Sequence, residues 1–188
     1  MRAWLFTNVW LFILPLALGT MTSLAQGQEA KPDTEQHKRM EYLIGTWDVA
    51  VKFRLPDGKD GEGTATCQTK WILDDKVVHQ EYKSKFMGQP LTVVQLLSYD
   101  TVKKRFVEFQ LHVDPTGVHT THNEGAFSDD GKILTLVGDS IDGFTGKPVK
   151  VRGVTTIVDE NRYTVEWFIT EPGGKEERRV VLTHTRKK

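Results

Sequence analysis

From Trp47 the chain alternates with a period of two. Trp47, Val49, Val51, Phe53 and Leu55 fall on one face; Asp48, Lys52 and Arg54, with Ala50, fall on the other. Side chains of a strand point alternately to opposite faces, so this run specifies a half-buried β-strand. The pattern recurs along the rest of the chain. Strands are expected near Trp47–Leu55, Glu62–Leu73, Val77–Phe86, Leu91–Tyr99 and Arg105–Val113. Five more follow near Val118–Phe127, Lys132–Ser140, Val149–Val158, Tyr163–Thr170 and Glu177–Arg186.

Tight turn chemistry separates them: Pro56-Asp57-Gly58, Asp74-Asp75-Lys76, Met87-Gly88-Gln89-Pro90, Asp114-Pro115-Thr116-Gly117, Asp129-Asp130-Gly131, Gly143-Phe144-Thr145-Gly146 and Pro172-Gly173-Gly174. Connections this short join neighbours into hairpins, and the long crossovers of a Greek-key sandwich are not evident. The fold class expected is all-β: an up-and-down antiparallel barrel of about ten strands, closed because closure removes exposed edges. Ahead of it, Thr34 is placed to cap a short helix running to Gly45, with Glu35 in its first turn.

The N-terminus reads differently. Arg2 precedes the apolar run Val9-Trp10-Leu11-Phe12-Ile13-Leu14-Pro15-Leu16-Ala17-Leu18, and Ser23-Leu24-Ala25 puts small residues where a signal peptidase reads. Residues 1–25 are expected to be a cleaved signal, 26–34 a polar linker and 35–188 one barrel domain. The apolar run is shorter than the ~20 residues a spanning helix needs. The mature protein is thus expected to be exported, periplasmic or secreted, without a stable membrane anchor. The 25 basic and 25 acidic residues of the full sequence balance, which argues against nucleic acid as a partner. The single cysteine, Cys67, rules out an internal disulfide and CxxC zinc sites. It alternates with Ala65, Thr69, Trp71 and Leu73 and reads as an inward small hydrophobe.

Several segments together carry a resemblance: Tyr42-Leu43-Ile44-Gly45-Thr46-Trp47, Trp71-Ile72-Leu73-Asp74, Gln80-Glu81-Tyr82, Leu97-Ser98-Tyr99-Asp100, Gly125-Ala126-Phe127, Thr145 to Arg152 and Thr183-His184-Thr185-Arg186-Lys187. The set resembles the bacterial family called domain of unknown function fifteen-seventy-nine, over roughly Glu35 to Lys187. That family is related to the calycin barrels, and its members are often exported. Gly45-Thr46-Trp47 is also similar to the lipocalin Gly-x-Trp signature. The lipocalin resemblance implies a barrel end closed by Trp47 under an arginine of the last strand, here Arg186.

Alternation places Trp47, Trp71, Tyr82, Leu97, Phe109 and Trp167 on candidate inner faces, and Gln80 and Gln95 in phase with apolar neighbours. An apolar cavity with a few placed polar groups is the usual form of a small-molecule site. The leading expectation is non-catalytic binding of a small apolar or amphipathic ligand by Trp71, Gln80, Tyr82, Gln95, Phe109, Trp167 and His184, without metal or cofactor. Two alternatives stand beside it. His184, in phase with Val180 and Leu182, is placed like the iron ligand of nitrobindin-type haem barrels, and His112, His119 and His122 sit in one hairpin as candidate metal ligands. In the second alternative the interior is filled and the chain is a structural module. Gly138-Asp139-Ser140-Ile141 mimics a lipase-type nucleophile block but lacks the α/β context that chemistry needs.

Overall fold

The computed structural model describes residues 34–188; the expected signal and most of the linker lie outside them. A short helix α1 (Thr34–Lys38) and a 3-10 turn (Glu41–Leu43) precede ten strands. These are β1 (Gly45–Arg54), β2 (Asp60–Ile72), β3 (Val77–Phe86), β4 (Gln89–Asp100), β5 (Arg105–Asp114), β6 (Gly117–Phe127), β7 (Ile133–Ile141), β8 (Pro148–Asp159), β9 (Arg162–Thr170) and β10 (Glu176–Arg186). Each pairs antiparallel with the next, and β1 pairs with β10, so the sheet is a closed up-and-down barrel. One β-bulge sits at Arg178/Val180 in β10 and another at Ile157/Asp159 in β8.

The segment before β1 is broken where a continuous helix to Gly45 was expected. Helix α1 is too short to be stable alone, and the chain turns so that Met40 and Leu43 are both buried in the barrel core. This end also holds the start of β1 and the finish of β10 and is here called the base; the opposite end is the mouth. At the base, Leu73, Asp74 and Asp75 all take positive φ in the β2–β3 turn. Leu73 is therefore 69% exposed and not on the inner face where alternation placed it.

Strands β1 to β3 bury the faces their apolar alternation marks. Strand β5 does the opposite. Its inner face is Phe106, Glu108, Gln110 and His112, while Val107, Phe109, Leu111 and Val113 look outward. Phe109, expected to line the interior, is 40% exposed on the outer wall, opposite Leu96 and His122. An apolar side chain can remain on a surface, whereas three polar groups facing inward must be satisfied there.

Gly138 on β7 is fixed by close approach. It pairs with Asn123 of β6, and a Cβ there would lie 2.2 Å from the His122 carbonyl oxygen and 2.4 Å from Asn123 Oδ1. Gly138→Ala is expected to cost about 2 kcal/mol by overpacking and to lower the melting temperature by about 6 °C. A thermal melt within about 2 °C of wild type would show that the two strands part more easily than this contact implies.

Candidate functional site

The inner wall has two chemically different halves. Thr69, Gln80, Gln95, Gln110 and Thr121 stand in one register row across β2 to β6. One step toward the base, Glu108 pairs with Leu97 and Asn123. The facing wall, from β7 round to β1, presents Leu136, Val151, Val165, Trp167, Leu182 and Val51. Near the mouth Val51, Val151, Trp167 and Leu182 are only half-buried although they point inward, and so is Gln95. Solvent therefore reaches the lumen between an amide-rich wall and an apolar one.

Two polar knots are built into this lumen. The first surrounds Glu108, which is 2% exposed. Gln95 Nε2 donates to its Oε1, and Gln110 Nε2 and Asn123 Nδ2 donate to its Oε2 at 2.9 and 2.7 Å. Gln110 Oε1 in turn takes hydrogen bonds from His112 Nε2 at 3.0 Å and Thr121 Oγ1 at 3.4 Å. Burial raises the Glu108 carboxyl to about 7, against the lowering effect of the Asn123 and Gln110 amides; no charged group contributes. Burial likewise lowers His112, helped by His119 and opposed by Asp114.

The second knot joins β2, β3, β9 and β10 and packs on Trp47 at the base. Gln80 Nε2 is within 3.3 Å of Thr69 Oγ1, 3.4 Å of Tyr82 Oη and 3.3 Å of Tyr163 Oη. Tyr82 Oη meets His184 Nε2 at 3.1 Å. The His184 ring stacks on Tyr163 at 3.9 Å and 11°, and Trp47 stands edge-on to both. His184 is wholly buried, and burial lowers it to about 3, with the Tyr163 backbone opposing. That backbone contact falls short of a formed hydrogen bond, since Nδ1 has no partner by geometry. The imidazole is therefore neutral. Burial also lifts Cys67 to about 11 and raises the Tyr82 and Tyr163 hydroxyls, so all three are held in their protonated forms near neutral pH.

Below this knot the base is sealed. The Arg186 guanidinium lies 4.2 Å over the Trp47 ring and donates to the carbonyls of Ile44, Tyr42 and Glu160. Trp47 Nε1 donates to Leu43 O at 2.8 Å. Gly45, at φ +137°, leaves room for the guanidinium, because a Cβ there would lie 2.5 Å from Arg186 Nη1.

Of the residues marked for ligand contact, Gln80, Tyr82 and His184 meet in the base knot, Gln95 in the Glu108 knot, and Trp167 lies across Gly153 on the apolar wall. Trp71 stands at the base instead, its Nε1 donating to Glu41 Oε2 at 3.0 Å. Phe109 is outside. His112 and His119 are direct cross-strand partners, but His122 is on the outer face beside Glu124. No group of three or more His, Cys, Asp or Glu converges among the described residues. At His184, Tyr82 takes Nε2 and Tyr163 covers one ring face, which leaves Nδ1 as the ring nitrogen without a partner. Asp139 of the lipase-like block pairs with Lys150 on the surface, and Ser140 bonds the adjacent Ile141 carbonyl. Sequence reasoning missed Glu108, Gln110 and Asn123 as lumen residues. The available signal was the phase that Glu108 and Gln110 share with Phe106.

Solved structures share this architecture. Rv2717c from M. tuberculosis superposes with a TM-score of 0.59 at 14% identity, covering 80% of this chain and 96% of its own. The S-type phycobiliprotein lyase CPES from Guillardia theta gives 0.53 at 12% identity, covering 85% and 94%. Both likenesses are of fold alone. No curated protein matches the sequence. A family model does, over residues 32–186, so the chain belongs to the protein family of unknown function DUF1579.

Proposed function

We propose that this barrel is an exported carrier that binds a small amphipathic molecule in its lumen without transforming it. The observation that carries the reading is the division of one lumen into an amide-rich wall (Gln80, Gln95, Gln110) and an apolar wall (Val151, Trp167, Leu182). An amphipathic ligand satisfies both halves at once, and the sealed base leaves the mouth as its entrance. The likeness of fold to a phycobiliprotein lyase is compatible with a lumen that handles small molecules. Export rests on the leader-like first 25 residues, with Gln26 as the expected mature N-terminus.

Native mass spectrometry of protein purified from its own exported fraction tests this, with an absorption spectrum alongside. The expected result is a chain beginning at Gln26 that carries a small organic molecule and shows no Soret band. A ligand-free mass, together with no binding of the neutral lumen dye phenylnaphthylamine, would sink the carrier reading in favour of a structural module. A haem adduct would replace it with a redox one.

A further inference from the structure

We infer that the lumen selects a ligand whose head group is a protonated amine, recognised by the Gln95 carbonyl with the Glu108 carboxylate behind it. This rests on the carrier reading above and gives its ligand a chemistry.

The argument starts from donors and acceptors. A carboxylate accepts and a carboxamide has one end of each kind, so Glu108 orients the amides around it. Gln95, Gln110 and Asn123 all turn their NH2 groups toward Glu108. Their carbonyl ends are consequently turned away from it. Gln110 Oε1 is occupied by His112 and Thr121. Gln95 Oε1 has no partner among the described residues, and Gln95 is half-buried on the inner face. The lumen thus meets an acceptor, not a donor, at the centre of the amide wall.

The second observation is charge. Glu108 forms no ion pair with any Lys or Arg among the described residues, although Lys103 of the β4–β5 turn, Arg105 and Lys150 pair with Glu124 and Asp139 outside. The groups facing Glu108 are Gln95 and Leu97 from β4, Gln110 and His112 from β5, Asn123 and Thr121 from β6, and Gly138 and Leu136 from β7. None is cationic when His112 is neutral, as burial favours; His119 at the rim is 53% exposed. A buried carboxylate without a counter-charge is complemented by a cation and repels an anion. An alkylammonium supplies both the donors for Gln95 and the charge for Glu108, while its chain lies along the apolar wall.

Displacement of phenylnaphthylamine by decylamine, decanol and decanoate tests this on the intact protein. The expected order is decylamine tightest and decanoate weakest. Binding a cation favours ionised Glu108, so protons compete with it; decylamine affinity should rise about tenfold from about pH 6 to about pH 8 while decanol stays flat. Glu108→Gln removes that slope and the amine preference, and Gln95→Leu weakens decylamine without weakening decanol. Decylamine binding no tighter than decanol, or a slope that survives in Glu108→Gln, overturns the inference and leaves the carrier reading standing. Failure of all three to displace the dye overturns both.

Discussion

Replacing Trp47 by alanine is expected to lower the unfolding free energy by about 4 kcal/mol. Trp47 is 1% exposed, so truncation empties a large volume in the base. The loss extends beyond transfer of the indole. Its Nε1 bond to the Leu43 carbonyl disappears, leaving an acceptor in the plug without its donor. The edge contact with Tyr163 at 4.7 Å goes too, and with it one wall of the base knot. Arg186 loses the ring beneath it but keeps its three carbonyl partners, so it remains in place over a cavity. Urea unfolding gives the number directly. A loss below about 1.5 kcal/mol would mean that Met40 and Leu43 collapse into the gap and that the base does not depend on the indole. Arg186→Met is the companion variant: it keeps the stem and removes the donors.

The fold was legible wherever hydrophobic alternation and turn chemistry agreed. Val78, Gln80 and Tyr82 share a phase, so the polar member of that trio was carried to the correct face by its apolar neighbours. Gln95, between Val93 and Leu97, was read the same way. The expected Trp47–Arg186 closure has a counterpart in the cation–π geometry at the base. Strand β5 was read backwards because the rule that apolar residues face inward is one-way. Val107, Phe109 and Leu111 form the more hydrophobic phase, yet the phase that enters the barrel holds Glu108, Gln110 and His112. Local sequence offered no reason to bury three polar side chains. The reason is non-local: Asn123 and Thr121 from β6 and Gln95 from β4 satisfy them. A conflict between local pattern and global position is the expected mark of a functional site, and here it falls on the polar wall of the lumen.

The two knots hold ionisable groups with opposite proton preferences, and together they should hide each other in the wild-type stability profile. His184 has its folded value lowered from 6.5 to about 3. The folded state therefore binds fewer protons than the unfolded chain between those values, and stability present above about 6.5 is lost as pH falls toward about 3, up to about 5 kcal/mol in all. Glu108 is raised from 4.5 to about 7. Its contribution is fully present below about 4.5 and is lost as pH rises through about 7, about 3 kcal/mol in all. Acidifying from about 6.5 to about 4.5 thus costs about 2 kcal/mol at His184 and returns about as much at Glu108. Exposed carboxylates such as Asp57 and Asp114, held low by hydrogen bonds from Lys59 and Thr116, act in every variant alike and cancel in differences. In urea titrations across this window, Glu108→Gln should lose stability on acidification relative to wild type, and His184→Gln should gain it. Parallel profiles for all three proteins would show that water reaches both groups, and that neither knot is as dry as its packing implies.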